Sequence, residues 1–381
     1  MHWSFDFKRI ITHTDRVIAK AKAPDIIKLS WGEPAFPPSK KIREALLEAF
    51  NKGYTRYTPP AGLQELREAI SDKLRRKNKI DTDPSEIIVT VGGTGALHLI
   101  FRLIAKGEVI TIPNPGWFAY PSVIRVAEAN LVWIDEKKYG YEALQKAREG
   151  LKRKGKELKA IVINSPSNPS GYIFSEKQLK EILDFAEDYS AYIISDEVYE
   201  DFILEGKHIS IASIKKDCVF TVFSLSKTYA LTGLRIGYIV APDKQIAKEL
   251  TILQLHTCVC PTSFAQYVAL VCIRDRIEEE YISKWISVIK ENIQYLDKKL
   301  KERGITWEKP KGGIYAWFPL PRIDSKKFAF ELLEKKKVAV AVGADFGTKW
   351  DEYIRITTAV EPEIFREGID RILQYYDEIQ K

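Results

Sequence analysis

The 381-residue sequence has few cysteines and no long apolar run. Its four cysteines are too few for a disulfide-stabilised scaffold of this length. No apolar stretch reaches the roughly 20 residues that a membrane-spanning helix needs. The segment Met1–Asp6 lacks the basic start and apolar core of a secretion signal. We therefore expect a cytoplasmic protein that has no membrane partner.

Charge of a single sign is not concentrated in any one part of the chain. Lysine and arginine number 59 against 52 acidic residues, which gives a net charge of +7. The basic clusters at 73–79 and 152–156 lie in polar, helix-like segments, and no nucleic-acid-binding motif accompanies them. His256, Cys258 and Cys260 lack the second ligand cluster that a structural metal site needs. We expect neither a nucleic-acid partner nor a metal ion.

The most informative segment holds one lysine between small hydroxylated residues. Lys227 follows the apolar run 218–223, which predicts a buried strand, and Arg235 lies eight residues further on. The lysine could be solvated on a surface turn, or it could be a nucleophilic amine that condenses with an aldehyde cofactor. Ser224, Ser226 and Arg235 are groups that bind a phosphate. They favour the amine, because pyridoxal phosphate carries its aldehyde and its phosphate on one small ring.

Three other motifs lie in or next to predicted strands. Strand 86–91 runs into the glycine-rich segment 92–95 and then a helix, which together form an anion-binding cradle. Taken alone this signal is weak, since it lacks the full dinucleotide or P-loop pattern. Asp196 ends a predicted strand, where α/β sheets build their sites, although it could also be a loop carboxylate. Arg355 lies in mid-strand, where its guanidinium could bind a carboxylate or form a structural ion pair.

In this order, from about Gly32 to Arg355, the motifs resemble those of the fold-type I pyridoxal-phosphate enzymes, in the class I/II aminotransferase group of aspartate aminotransferase. Strands that alternate with helices between 86 and 240 independently predict an α/β fold with a mainly parallel sheet. The resemblance implies a large domain with a seven-stranded sheet flanked by helices, and a small α/β domain. We expect the large, cofactor-binding domain at 40–283 and the small domain at 1–39 and 284–381.

The resemblance implies a role for each motif residue around the cofactor ring. Lys227 would be the catalytic amine, and Asp196 would face the pyridine nitrogen. Tyr199 and Asn168 would bond the ring oxygen, and Trp117 would stack on the ring face. The phosphate would be bound by Gly93, Thr94, Ser224, Arg235 and Tyr57 of the partner subunit.

The same resemblance implies how the substrate is held. Arg355 would bind its carboxylate, Asn168 would lie beside it, and the backbone of Gly32 would approach it. Trp31 would face the pocket, although a core position is an open alternative. Tyr57 could instead pack on its own loop. The implied assembly is a homodimer whose active sites lie at the interface.

The function that follows is transamination by a ping-pong route through pyridoxamine phosphate. The amino group would pass from an L-amino acid to a 2-oxo acid such as 2-oxoglutarate. A β-elimination lyase of the C–S lyase type, or a decarboxylase, would use the same cofactor residues and stays an alternative. A cofactor-sensing transcription regulator would need a further DNA-binding domain. A nucleotide-binding protein that uses 92–95 would leave Lys227 and Asp196 unexplained.

The choice of amino acid depends on whether a second cation is present. In one branch of the family a lysine stands where this chain has Thr94, and another branch supplies an arginine near the position of 255–256. Neither cation is present here, so we expect an aromatic or other largely apolar donor. An aspartate-preferring aminotransferase stays an alternative. His256 could line a substrate pocket or be packed.

Overall fold

The computed structural model describes residues 11–380. The segment Met1–Asp6 and the start of the predicted small domain therefore lie outside the described residues. The helices are α1 (His13–Lys20), α2 (Lys40–Asn51), α3 (Gln64–Lys73), α4 (Gly92–Ile104), α5 (Tyr120–Val126), α6 (Tyr141–Lys152), α7 (Glu176–Asp188), α8 (Leu225–Thr228), α9 (Lys244–Cys258), α10 (Ser263–Arg274), α11 (Ile277–Lys301), α12 (Ser325–Lys336) and α13 (Pro362–Gln380). The strands are β1 (Ile27–Lys28), β2 (Ile87–Thr90), β3 (Val109–Asn114), β4 (Asn130–Asp135), β5 (Leu158–Asn164), β6 (Tyr192–Asp196), β7 (Val219–Ser224), β8 (Gly237–Val240), β9 (Tyr315–Pro319), β10 (Val338–Ala339), β11 (Ala341–Val342) and β12 (Tyr353–Thr357).

The large sheet has seven strands in the order β2-β8-β7-β6-β5-β3-β4. All neighbours pair in parallel except β8, which is antiparallel to both β2 and β7. The sheet is covered on both faces. Ile161 and Ile163 of β5 enter one apolar cluster, and Val162 between them enters another. Burial on both faces explains why these strands are continuous apolar runs. The predicted mainly parallel, seven-stranded α/β fold is confirmed.

A smaller antiparallel sheet has the order β11-β12-β9. Its apolar face packs with α12 and α13 around a separate core that includes Phe318, Ile356 and Phe365. The short strand β1 pairs in parallel with β10, which brings the N-terminal segment to this part of the molecule. The long helix α11 begins at Ile277 and so crosses the predicted boundary at 284. The division into 40–283 and 1–39 with 284–381 stays a prediction.

The sequence misplaces one loop and misses a buried helix. The glycine-rich segment 92–95 does not precede a helix, as predicted, but forms the first turn of α4, which begins at Gly92. Helix α9 continues to Cys258, so His256 is helical, and the chain leaves the helix at Val259, whose φ is 65°. The following α10 was not predicted. It is buried almost throughout, so it lacks the one-sided apolar pattern that identifies a surface helix.

Two observations concern the described part of the chain only. None of its helices is long and apolar enough to cross a bilayer. Within 11–380, no three His, Cys, Asp or Glu side chains are grouped as a metal ion requires.

Candidate active site

One cavity of about 190 Å³ lies beyond the carboxyl ends of the parallel strands. It brings together every residue to which the family resemblance gives a role at the cofactor or substrate, except Trp31 and Tyr57. Those that line it are Gly32, Gly93, Thr94, Trp117, Asn168, Asp196, Tyr199, Ser224, Lys227, Arg235 and Arg355. Trp31 is 38% exposed, and Tyr57 is 85% exposed. His256 lies on an exposed stretch of α9 and does not line this cavity. The roles implied for these residues stay predictions.

Lys227 lies on α8, a helix of four residues that follows β7. Ser224 begins this helix, since its hydroxyl accepts a hydrogen bond from the Ser226 amide at 3.2 Å. The Lys227 ammonium donates to the Gly32 carbonyl. Burial, followed by the positive charge of Arg355, lowers the pKa of Lys227 to about 8. An amine with this pKa is partly deprotonated near neutral pH, as a nucleophile or base needs to be.

A hydrogen bond to an acid that is itself ion-paired fixes α8 to neighbouring segments. Thr228 donates to Asp201 at 2.5 Å, and Asp201 also pairs with Lys77. Lys73 pairs with the neighbouring Glu200, and both side chains are less than a tenth exposed. Burial raises the pKa of Asp201, but the charges of Lys77 and Lys73, together with hydrogen bonds from Lys77 and Thr228, hold that pKa below its usual range. The lysine helix is therefore fixed by contacts with segments distant in sequence.

Asp196 ends β6 and is 4% exposed. Burial raises its pKa to about 6, while hydrogen bonds from Tyr120 and the Val198 amide oppose that rise. The Tyr120 hydroxyl donates to Asp196 Oδ2 at 2.7 Å, and the Val198 amide donates to Oδ1 at 3.4 Å. The carboxyl group is therefore held in one orientation and is mostly ionised at pH 7. It can neutralise a cationic ring nitrogen placed in the cavity.

Asn168, Tyr199 and Tyr315 form a hydrogen-bonded row along one wall. The Asn168 amide donates to the Tyr199 hydroxyl at 3.3 Å, and the hydroxyls of Tyr199 and Tyr315 lie 2.8 Å apart. Burial raises the pKa of Tyr199 well above its ordinary value, so this hydroxyl keeps its proton. The row can therefore donate to an oxygen on a bound molecule.

Arg355 lies in β12 and is 2% exposed. Its two terminal nitrogens donate to the Asn168 side-chain oxygen at 3.0 Å and to the Ser30 carbonyl at 2.7 Å. Its Nε has no partner, and no carboxylate of the described chain pairs with it. The guanidinium also lies 4.2 Å from the centre of the Tyr315 ring. A buried, oriented cation without a counter-ion is suited to binding a carboxylate.

The opposite end of the cavity is suited to an anion. The start of α4 presents its free backbone amides near Ser224 and Arg235. Arg235 has a left-handed backbone with φ of 54°, and its Nη1 donates to the Thr232 carbonyl at 2.8 Å. A Cβ added to Gly92 would lie 2.6 Å from Arg235 Nη2. Only glycine lets the helix start and the guanidinium come this close.

Sequence reasoning missed several residues in or next to the cavity, and the most consequential is Tyr120, which does not line the cavity but holds Asp196. It begins α5, a helix that was not predicted, and it orients Asp196 from a distance of 76 residues in sequence. Phe118 and Asn164 also line the cavity without having been singled out. The aromatic segment 117–120 was the available signal, but only the fold shows which of its rings face the cavity.

Comparison with known proteins identifies the family. Residues 24–372 match the family described as aminotransferase class I and II. The probable aspartate/prephenate aminotransferase of Aquifex aeolicus is 37% identical over 94% of this chain and 93% of its own. The aspartate aminotransferase of Pyrococcus abyssi is 36% identical over 91% of both chains. The aromatic aminotransferase structure from Pyrococcus horikoshii superposes with a TM-score of 0.86 at 33% identity, covering 97% of this chain and 100% of that one. The chain thus belongs to the class I and II aminotransferases.

Proposed function

We propose that this aminotransferase binds pyridoxal phosphate, the cofactor of its family, in the cavity around Lys227. The observation that carries the proposal is a single cavity that holds three groups, each of which suits one part of the cofactor. It places a buried amine with a lowered pKa, a buried carboxylate and an anion-binding helix start around the same space. These three groups suit the aldehyde, the ring nitrogen and the phosphate of that cofactor.

The residues present fit the cofactor in detail. Lys227 would hold the aldehyde carbon, Asp196 the ring nitrogen, and Asn168 with Tyr199 the ring oxygen. Trp117 lines the cavity and meets Tyr120 edge-on, with ring centres 5.3 Å apart, so a flat ring could stack against it. The phosphate would be held by Gly93, Thr94, Ser224, Arg235 and Tyr57 of the partner subunit.

When bound, pyridoxal phosphate supplies an aldehyde for amine exchange and a ring that withdraws electrons from the substrate's α-carbon. The chain's own residues do the rest. Arg355 binds the substrate carboxylate with the guanidinium edge that Asn168 and Ser30 leave free. The Lys227 amine removes the α-proton, a step that its lowered pKa favours. The carboxylate of Asp196 keeps the ring nitrogen protonated.

We further propose an aromatic or other largely apolar amino donor, with 2-oxoglutarate as acceptor. The cavity cations of the described chain are Lys227, Arg235 and Arg355, and each has a proposed role. No further lysine or arginine among the described residues lines the cavity to bind a side-chain carboxylate, while Ile18 and Phe118 add apolar surface. An aspartate preference is the second candidate, because relatives named for aspartate are among the most similar.

We propose a cytoplasmic homodimer that binds neither nucleic acid nor membrane. Exposed apolar side chains support the dimer, since Leu47 is 68% and Phe50 is 70% exposed on the same helix. Tyr57 follows that helix and is 85% exposed, so it is free to reach a partner subunit's cavity. A dimer of this kind would complete the phosphate end of each site.

The test is an absorbance spectrum of the purified protein with pyridoxal phosphate, followed by single amino acids without an oxo acid. The wild type should show a yellow band that each effective donor bleaches, with aromatic or apolar donors faster than aspartate. Lys227→Ala should not bleach, and its turnover should fall by roughly 10²- to 10⁴-fold. Lys248→Ala, at an exposed position of α9, is the matched control and should behave as wild type.

Three outcomes would contradict parts of this proposal. A protein that stays colourless with the cofactor would refute the cofactor site. A yellow band that persists while pyruvate or ammonia accumulates would indicate the lyase. A donor panel in which aspartate is fastest would overturn the donor preference alone.

A further inference from the structure

A second crevice lies beside the smaller sheet and is lined in part by residues of β9 and β12. It has a volume of about 110 Å³, and its walls include the indole rings of Trp307, Trp317 and Trp350. Glu136 and Lys311 also line it. None of these residues lines the catalytic cavity. The crevice is therefore separate from the site described above.

Glu136 is a buried acid without a counter-ion. It follows β4, is 2% exposed, and its Oε2 has no hydrogen-bond partner in the described chain. Burial raises its pKa to about 7, and the hydroxyls of Ser170 and Ser167 only partly oppose that rise. An unpaired buried carboxyl is unfavourable, so a group that donates to it would be bound tightly.

Trp317 has a buried indole N–H donor without a hydrogen-bond partner, which complements the unpaired oxygen of Glu136. Trp307 donates its indole N–H to Asp297 at 3.1 Å, and Trp350 donates to Asn114 at 2.6 Å. The Trp317 N–H has no partner among residues 11–380, although the side chain is only 7% exposed. Of the crevice's three indoles, it is thus the one with a free donor.

Of the three lysines that line the crevice, two have a described ion pair and one does not. Lys137 pairs with Glu308, and Lys309 pairs with Asp297 at 2.8 Å. Lys311 has no described ion pair. The crevice is therefore lined by one carboxyl oxygen without a partner, one N–H donor without a partner and one lysine without a described ion pair, next to aromatic side chains.

We propose that this crevice binds a small free amino acid as its zwitterion. The ammonium group would lie on Glu136, and the carboxylate would accept from Trp317 and Lys311. The side chain would lie against the indole rings, which also attract the ammonium charge. An apolar cavity of about 150 Å³ accommodates benzene. The volume here therefore suits a ligand between alanine and valine in size.

The crevice is connected to the substrate site through the smaller sheet. Trp317 and Arg355 are directly paired across β9 and β12. A ligand that fixes Trp317 would therefore also restrain the strand that carries the predicted carboxylate-binding residue. The crevice does not need the cofactor, so its occupancy can be tested independently of the proposed function.

The experiment is equilibrium dialysis of the cofactor-loaded protein with radiolabelled α-aminoisobutyrate, which cannot be transaminated because it has no α-hydrogen. The wild type should bind at two sites per chain, and Arg355→Leu should keep only the crevice site. Glu136→Gln should weaken the crevice site at least about tenfold, as loss of a charged hydrogen bond does. Trp317→Phe keeps the ring and removes the N–H, and should weaken the same site. Lys309→Met, at a lysine already paired, is the matched control and should change affinity by less than about twofold.

The outcomes separate the two proposals. If the catalytic cavity takes no amino acid, the wild type binds one molecule, which Arg355→Leu keeps and Glu136→Gln loses. If the crevice holds only water, the wild type binds one molecule or none, and Glu136→Gln and Trp317→Phe match it. That result would overturn the crevice site. Thermal unfolding of each variant shows whether a loss of binding is a loss of fold.

Discussion

The hydrogen bond from Tyr120 to Asp196 gives a quantitative prediction for Tyr120→Phe. The substitution removes a hydroxyl 2.7 Å from a buried carboxylate and keeps the ring that contacts Trp117. A hydrogen bond to a charged group is worth about 1.5–3 kcal/mol, which corresponds to about one or two pKa units. The pKa of Asp196 should therefore rise from about 6 to roughly 7–8.

The sign of the effect follows from which form binds the ring nitrogen. In the proposed cofactor site, the ionised form of Asp196 would hold the protonated ring, so cofactor affinity should fall as pH drops through the pKa of this group. At pH 7 the wild type stays mostly ionised, whereas the variant should lose roughly two- to tenfold in affinity. Above about pH 9 the two proteins should differ little through ionisation.

The assay is a fluorescence titration of the cofactor-free protein with pyridoxal phosphate between pH 5.5 and 9. Ionisation of the cofactor's own phosphate is common to both proteins and cancels in their difference. Tyr139→Phe is the matched control, because it removes another buried hydroxyl, 2.8 Å from Thr111 and without a contact to Asp196. Superimposable pH curves for wild type and Tyr120→Phe would refute this role for Tyr120.

Three further changes test other contacts. Thr228→Val removes the buried bond to Asp201 and should lower the free energy of unfolding in urea by about 1–3 kcal/mol; unchanged unfolding would show that α8 is held otherwise. Arg355→Lys should raise the KM for the amino donor by about 10- to 100-fold while the cofactor spectrum stays the same, and an unchanged KM would remove this residue from carboxylate binding. Gly32→Ala would place a Cβ 2.6 Å from the Tyr315 hydroxyl, so the thermal midpoint should fall with a loss of about 1–3 kcal/mol; a fully stable variant would show that this wall can yield.

The sequence predicted the main sheet well, because its central strands are buried on both faces and therefore appear as uninterrupted apolar runs. The exception is β4, an edge strand of mixed exposure that was not predicted although residues 131–134 are all apolar. Helix α10 was missed for the opposite reason, since burial on nearly all sides removes the periodic polar face. A strand is thus recognisable when it is buried on both faces, whereas a helix is recognisable when it keeps a polar face.

The candidate site shows a similar limit. Glycines, the lysine and the strand-end acid were recognisable because each departs from its local context. Tyr120 was not, since a tyrosine next to Trp117 is ordinary in sequence and gains its role only when β6 brings Asp196 alongside. Glu136 and Trp317 could not be predicted either, because whether a buried polar atom has a hydrogen-bond partner depends on its surroundings in three dimensions.

The short helix that carries Lys227 has a consequence for how the enzyme matures. Four residues do not form a helix by themselves, so α8 exists only when Asp201 and its paired lysine from another segment are in place. If Lys227 binds the cofactor as proposed, only molecules in which these segments have assembled can capture it. Amides at 225–228 should exchange with solvent only on global unfolding, so the colour of a preparation should measure its folded fraction.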